Sequence, residues 1–140
     1  MTEESAIALT DFLESWPVDE KGIKPLFHSL HSVLASIDGM NLDFSARPGV
    51  SYSLRGLHPT RSNEPILVLI DVIDDEPEER WLSVCFPSEL ITDPDCVGDV
   101  VPDGLQGKDA CCFDVDQSDD EIEGYLSDRI REAGASAIRA

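Results

Sequence analysis

Two groups of aspartates come nearest, by spacing, to a known chemistry, the binding of a divalent cation. The segment Asp114-Val-Asp116-Gln-Ser118-Asp-Asp120 begins like a calcium loop, in which oxygens at alternating positions surround the ion. It departs from that pattern because an aspartate replaces the required glycine and a tyrosine replaces the bidentate glutamate. The alternative interpretation is the acid-rich start of a solvated helix. The second group consists of Asp93, Asp95 and Asp99. Together with Asp114 and Asp116 of the first group, these are the candidate metal ligands.

Motifs for zinc binding and covalent catalysis are missing from the sequence. The chain has no CxxC, CxxH, GxSxG, P-loop or GxGxxG pattern, so we predict no catalytic residue and no cofactor. Adjacent Cys111 and Cys112 would point to opposite faces of a strand. The sequence therefore predicts free thiols rather than a disulfide framework, and free thiols fit a reducing cytoplasm. The four cysteines are Cys85, Cys96, Cys111 and Cys112.

The charge balance restricts the partners of the protein. Acidic residues outnumber Lys plus Arg by 29 to 10, which gives a net charge of −19. Such a surface repels nucleic acid and favours a basic protein partner. Solubility alone, or adaptation to a salty cytoplasm, explains the same charge without a partner. The longest apolar run, residues 66–70, is too short for a membrane helix, and the N-terminus is acidic. We therefore predict a cytoplasmic protein without membrane contact.

One stretch of the chain is locally basic, since it contains Arg47, Arg55 and Arg61 and few acids. An anion-binding site is one hypothesis for these side chains. The alternative is that they balance the acidic remainder of the surface.

Apolar residues repeat with helical spacing in three segments, residues 3–15, 23–37 and 118–136. Gly39 is predicted to cap the end of the second helix, because a residue in that place often needs a positive φ. Ser118 and Glu121 have the spacing of a capping box, which predicts the start of the third helix.

Between residues 40 and 116 the apolar period falls to two, which indicates strands. The predicted strands lie around residues 41–46, 50–54, 66–73, 81–86 and 109–115. A tight hairpin at Arg47-Pro48-Gly49 joins the first two, and Pro77 marks a turn before the fourth. Residues 87–107 contain three prolines and three glycines and are predicted to form a long irregular loop.

These elements predict one acidic α+β domain spanning residues 1–140. It comprises two N-terminal helices within 1–39, an antiparallel meander of about five strands within 40–116, and a C-terminal helix, 118–136, packed on the sheet. This order resembles the type III secretion chaperones and the YjbR-like proteins. The chaperone-like members of that fold are dimers that bind an unfolded stretch of a secreted client, so the resemblance implies a homodimer with exposed apolar grooves.

The sequence favours a non-enzymatic binding module of chaperone or adaptor type, whose partner is a basic or unfolded protein. Its predicted contacts are the apolar residues of the long loop, which are Leu90, Ile91, Val97, Val100, Val101 and Leu105. The same side chains would alternatively pin the loop to the core. Two other hypotheses stand beside this one: a small metal-dependent enzyme or metal-binding protein that uses the aspartates, and an acidic domain adapted to high salt.

Overall fold

The computed structural model describes residues 1–17, 19–76 and 79–139. In chain order its elements are α1 (Glu3–Ser15), α2 (Ile23–Ala35), β1 (Asn41–Arg47), β2 (Ser51–Leu57), β3 (Ile66–Ile73), β4 (Trp81–Pro87), the 3-10 turn (Ser88–Leu90), β5 (Asp99–Leu105), β6 (Lys108–Val115) and α3 (Asp120–Arg139). The predicted α+β class, with two helices before the sheet and one after it, is confirmed. The turn predicted at Pro77 lies outside the described residues. No helix in these ranges is long and apolar enough to cross a membrane.

The strands form one antiparallel sheet in the order β1-β2-β3-β4-β6-β5. The predicted count of about five is one short, because the segment 87–107, expected to be a loop, contains the 3-10 turn and β5. Proline and glycine are compatible with β5 because it lies at an edge, where a missing ladder hydrogen bond is tolerated. The chain returns to β6 through Gln106 and Gly107, whose φ angles of +54° and +79° are typical of a two-residue hairpin turn.

The helices share one apolar core with one face of the sheet. Phe27, Leu30 and Leu34 of α2 are fully buried, as the helical period predicts, and they meet alternate strand residues such as Val84 and Phe113. The residues between these strand positions point to the opposite face of the sheet. α1 lies against β1, where the Ser5 hydroxyl donates to the carbonyl of Phe44 at 3.3 Å. One edge of the sheet is therefore covered by a helix.

Two predicted helix ends are shifted in the structure. The third helix is capped by Asp119, whose Oδ1 accepts the N–H of Ile122 at 2.8 Å, and not by Ser118. Aspartate and serine are about equally good capping residues, and the helix begins at Asp120, directly after this aspartate. The second helix ends at Ala35. Gly39 has the expected positive φ of +79°, but it lies in the turn into β1 and does not cap the helix.

The hairpin between β1 and β2 forms at the predicted place. The N–H of Val50 donates to the carbonyl of Arg47 at 2.9 Å, and Gly49 has a φ of +81°, as a type II turn with proline before glycine requires. Alternation with Tyr52 and Leu54 predicts that Val50 begins the apolar face of the second strand, but Val50 is the last residue of the turn and is 53% exposed. The period of β2 is carried by Tyr52 and Leu54 instead.

Cys85 of β4 and Cys112 of β6 form a disulfide. They are directly opposite each other in the strand register, on the face away from the helices. The expectation of free thiols is therefore wrong for this pair. The two cysteines are 27 positions apart in the sequence, and no local pattern indicates that such distant residues are neighbours in the sheet. Cys96 and Cys111 are free, the first exposed and the second buried. Burial, together with two nearby aspartates, raises the pKa of the Cys111 thiol.

Candidate protein-binding edge

Exposed apolar side chains are concentrated on β5 and the residues before it. Val97, Val100 and Val101 are 48%, 65% and 40% exposed. The other large apolar residues that are exposed in the described ranges are scattered along the sequence: Met1, Ile7, Val50 and Ile138. Clustered exposed apolar residues mark interaction sites more often than isolated ones do. Residues 97–103, named the β5 edge below, are therefore the candidate site.

Three of the six residues predicted to contact a partner anchor the segment instead. Leu90 and Leu105 are only 6% and 8% exposed. Ile91 is partly buried against the apolar core. The alternative interpretation, in which apolar residues pin this segment to the domain, describes these three. Contact with a partner stays a prediction for the valines of the β5 edge.

The strand register determines where the backbone groups of β5 point. Facing pairs in antiparallel strands alternate between hydrogen-bonded and non-hydrogen-bonded, and the second kind has the closer Cα atoms, about 4.5 Å apart. The Cα atoms of Cys85 and Cys112 are 4.1 Å apart, so this pair is non-hydrogen-bonded. Cys112 therefore directs its N–H and C=O toward Asp99 of β5. Val100, one residue further, directs both groups away from the sheet.

Backbone donors are missing on both sides of Val100. The N–H groups of Val97 and Gly98 donate to the two carboxylate oxygens of Asp93, at 3.1 Å and 2.8 Å. Pro102 occupies the next alternate position of the strand and has no N–H. In the hydrogen-bond pattern of the residues that the structure describes, the N–H of Val100 is the one outward donor that remains within residues 97–102.

The Asp93 carboxylate also fastens this segment to α3. The Tyr125 hydroxyl donates to Oδ1 of Asp93, and the same hydroxyl oxygen accepts the N–H of Asp95 at 3.3 Å. Burial by itself raises the pKa of Asp93, but the hydrogen bonds from Tyr125 and the two N–H groups outweigh it and hold the pKa below its ordinary value. Burial and the adjacent carboxylate raise the pKa of Tyr125. The oxygens of Asp93 are thus committed to protein donors and not to a cation.

Further contacts join the approach to β5 to the same helix. The N–H and the hydroxyl of Thr92 each donate to Glu132 at 2.7 Å. Ser136 donates its hydroxyl to a backbone carbonyl of the 3-10 turn at 3.1 Å. The guanidinium of Arg129 lies 4.6 Å from the centroid of the Tyr125 ring, within cation–π distance. These contacts place the β5 edge in a defined position on the domain.

Replacing Tyr125 with phenylalanine tests the contact with Asp93, because it removes one donor and keeps the ring. We expect the free energy of unfolding to fall by about 1.5–3 kcal/mol, the usual contribution of a hydrogen bond to a charged group. Amide hydrogen exchange at Val97 and Gly98 should become faster, while exchange at Ile70 in the centre of the sheet keeps its rank among the slowest amides. If exchange at the first two amides is unchanged, Tyr125 does not hold Asp93 in place.

The other candidate metal ligands do not converge. Asp95 and Asp99 are exposed near the β5 edge, whereas Asp114 projects from the open face of β6 and Asp116 follows that strand. In the part of the chain that the structure describes, no three His, Cys, Asp or Glu side chains are grouped so that they could hold a metal ion. The metal hypothesis thus gains no ligand group from the described residues.

The three arginines predicted as an anion site do not form one cluster. Their contacts are Arg47 with Ser51 at 3.2 Å, Arg55 with Asp43 at 3.5 Å, and Arg61 with Glu89 at 2.8 Å and Glu64 at 3.3 Å. Arg47 and Arg55 lie on the first two strands, and Arg61 lies in the loop before β3. Arg55 and Arg61 already neutralise carboxylates, which agrees with the interpretation that this stretch balances the acidic surface.

Carboxylates surround the valines of the β5 edge. The exposed acids of this segment are Asp95, Asp99, Asp103 and Asp109. Lys108 is the one cation in residues 91–115, and its Nζ is 2.8 Å from a Glu64 oxygen, which raises the pKa of the lysine. A recess of about 240 Å³ lies beside Val97, and it is lined by Asp95, Val97, Asp119, Glu121, Ile122 and Tyr125. The surface around the edge therefore combines apolar contact area with negative charge.

Sequence reasoning missed the structural role of two residues. The helical period places Tyr125 only on the apolar face of the third helix, and spacing marks Asp93 only as a candidate metal ligand. The two residues are 32 positions apart, and no local pattern connects a helical tyrosine to a loop aspartate at that distance. The proline at position 102 contributes to the prediction of a loop, although proline is also compatible with an edge strand.

No protein-family model, no curated protein and no solved structure matches the chain. The likeness to the type III secretion chaperones and the YjbR-like proteins therefore stays a likeness in the order of elements. Because architecture alone does not determine function, the functional conclusion depends on the geometry and charge of this chain.

Proposed function

We propose that the protein is a non-enzymatic binding module that holds an extended, positively charged segment of another protein along the β5 edge. The observation that carries the proposal is the succession of three exposed valines, Val97, Val100 and Val101, along a sheet edge that no helix of the described residues covers; they are 40–65% exposed, and exposed aspartates flank them. The opposite edge, β1, is covered by α1. The β5 edge is therefore the side of the sheet that is open to a partner.

The apolar contacts contribute affinity of modest size. Full burial of one valine side chain is favourable by about 1.5–3 kcal/mol, and the valines of the edge already bury part of their surface. Association also costs translational and side-chain entropy. A contact confined to this edge belongs to the small, transient class of interfaces, below about 1,200 Å². The expected interaction is weak and reversible, as an adaptor or a holding chaperone requires.

Charge selects the partner. The net charge of −19 attracts a basic chain at long range, and the exposed aspartates of the edge meet it at short range. Lysine and arginine suit such a surface because their aliphatic stems cover apolar side chains while their charged ends meet carboxylates. A segment in which basic and apolar residues alternate would present its apolar side chains to the valines and its basic side chains to the aspartates.

The experiment is a titration of the isotope-labelled protein with a synthetic peptide of about eight residues, a common strand length, in which valine and lysine alternate. We expect the amide signals of Val97, Val100 and Val101 to shift. Replacing Val100 with lysine should weaken binding by about tenfold or more, because it removes the most exposed valine and introduces a repelling charge. Raising the salt concentration should weaken binding to the wild-type protein as well.

The matched control is Val50→Lys, which changes another exposed valine, in the turn between β1 and β2. It should bind the peptide as the wild-type protein does. A peptide with glutamate in place of lysine should not bind. Equal weakening by Val50→Lys and Val100→Lys, or equal binding of the acidic peptide, would refute the proposal. Folding that requires high salt would instead favour the hypothesis of halophilic adaptation.

A cytoplasmic location accompanies this proposal, and the homodimer that the resemblance implies would form through a surface other than the β5 edge. The disulfide between Cys85 and Cys112 is relevant to the location, because a reducing cytoplasm keeps most such pairs as thiols. Counting the free thiols in protein trapped by alkylation inside cells would decide between the two redox states. Four free thiols would agree with the cytoplasm, and two would point to an oxidising compartment.

A further inference from the structure

We infer that Asp93 and Pro102 close the β5 edge to strand addition, so that a partner is held by its side chains and a second copy of the chain cannot extend the sheet. An uncovered edge strand normally offers a row of backbone donors and acceptors to any other strand. In this protein the row of backbone donors is interrupted on both sides of Val100, although the valine side chains of the β5 edge remain exposed.

The interruption follows from alternate positions along the edge. The N–H of Gly98 is bonded to Asp93 Oδ2 at 2.8 Å, and the neighbouring N–H of Val97 is bonded to Oδ1 at 3.1 Å. Val100 keeps an outward N–H, as the strand register requires. Pro102 has none to offer. An added strand would need a backbone donor and a backbone acceptor at every second residue of the edge. It would find both only at Val100.

A shift of register also opposes strand pairing beyond Pro102. The register between β5 and β6 shifts between Val101 and Leu105, so the edge is no longer regular there. Such irregularities turn an edge strand away from a second sheet. The two edges of the sheet are therefore closed by different means, β1 by a helix and β5 by a side-chain acceptor, a proline and a shift of register.

The closed edge bears on the partner only if the proposed function is right. Its remaining outward carbonyls and the flanking carboxylates are acceptors, so a partner must bring donors, which the side chains of lysine and arginine supply. Exclusion of a second copy does not depend on that function. Failure of the self-association test below and failure of the peptide titration are therefore separate results.

The test is Pro102→Thr, which restores a backbone N–H on the outward side of the strand and adds a residue of high β-propensity. Self-association is measured by sedimentation velocity over a range of concentrations. When two edges pair, each copy adds one new donor. We expect the association constant to rise about 30-fold over the wild type, which corresponds to about 2 kcal/mol for two hydrogen bonds.

The matched control is Pro94→Thr, the same change at an exposed proline outside the strand, which should leave self-association at the wild-type level. Adding Val100→Lys to Pro102→Thr should abolish the gain, because opposing lysines repel each other at the paired edges. Pro102→Ala restores the same N–H with a smaller side chain and should also increase association. Circular dichroism and thermal melting confirm that the variants are folded. The inference is overturned if folded Pro102→Thr and Pro102→Ala associate no more than the wild type, or if Pro94→Thr associates equally.

Discussion

Replacing Arg80 with alanine is expected to lower the free energy of unfolding by about 3–5 kcal/mol, the range found when one partner of a buried ion pair is removed. Nε of Arg80 lies 2.8 Å from Oδ1 of Asp74, and the two side chains are only 12% and 4% exposed. Without the guanidinium, the Asp74 carboxylate would keep its negative charge in a buried place with fewer donors. The loss is therefore greater than the value of one surface ion pair.

Aromatic rings surround the same guanidinium. Its central carbon lies 5.4 Å, 5.6 Å and 5.3 Å from the ring centroids of Phe12, Trp16 and Tyr52. Cation–π contacts in desolvated places contribute up to about 2 kcal/mol. Arg80 thus joins the end of α1 to the sheet. Truncation would leave a cavity as well as an unpaired charge.

Chemical denaturation with urea measures the effect, with Arg131→Ala as the control. Arg131 also pairs with an aspartate, Asp128, at 3.2 Å, but both side chains are at least 60% exposed. An exposed pair contributes about 0–1 kcal/mol. If Arg80→Ala and Arg131→Ala have equal effects, the buried pair has no special role in stability.

The pH dependence of the free energy of unfolding tests the contribution of the Asp74 carboxylate to the same ion pair. Burial by itself raises the pKa of Asp74, but hydrogen bonds from Arg80, the Gly49 N–H and Tyr52, together with the guanidinium charge, hold the pKa below its ordinary value of 3.8. A carboxyl with a lowered pKa in the folded state contributes stability above its unfolded pKa, and this contribution is lost as the pH falls through the folded pKa. Asp74→Asn should therefore reduce the loss of stability on acidification below about pH 4.

Reduction of the disulfide between Cys85 and Cys112 is expected to lower the free energy of unfolding by about 3.5 kcal/mol. This value follows from the entropy of the unfolded chain, since the bond closes a loop with a sequence separation of 27 residues. The bond joins β4 to β6, two neighbouring strands inside the sheet. Reduction should therefore change the stability of the whole domain more than its folded structure.

The measurement compares urea unfolding with and without a reductant, and alkylation of the unfolded protein counts the thiols. Two thiols should react before reduction, from Cys96 and Cys111, and four after it. Cys96→Ser is the control and should leave the effect of the reductant unchanged, because Cys96 is exposed and unpaired with another cysteine. If four thiols react after reduction and stability is the same, the bond contributes nothing to the fold.

Local periodicity was sufficient for the elements that bury one clear stripe. The helical repeat of α2 and the period of two in β1, carried by Leu42 and Phe44, follow directly from the need to place apolar side chains on one side of each element. The hairpin at Arg47-Pro48-Gly49 was predictable for a local reason also, because proline and glycine restrict the backbone at those positions. These features depend on residues that are close together in the chain.

The strand β5 could not be found in that way. Six of its seven residues are exposed, so it has almost no apolar period, and its proline and glycine are typical of a loop. It becomes a strand because the hairpin at Gln106 and Gly107 returns the chain to β6, which pairs on both sides. Val50 illustrates the opposite error, since an apolar residue in the correct alternation lies in a turn.

The sequence alone determined the class of fold, the acidic surface and the apolar content of the segment that contains the β5 edge, because composition and local periodicity act over a few residues at a time. Only the tertiary structure decided which of these apolar residues are exposed, which cysteines are paired, and that Asp93 meets Tyr125. These features depend on contacts between residues 27 or more positions apart. The free energy of such contacts comes from the packing of the whole domain, which no local pattern encodes.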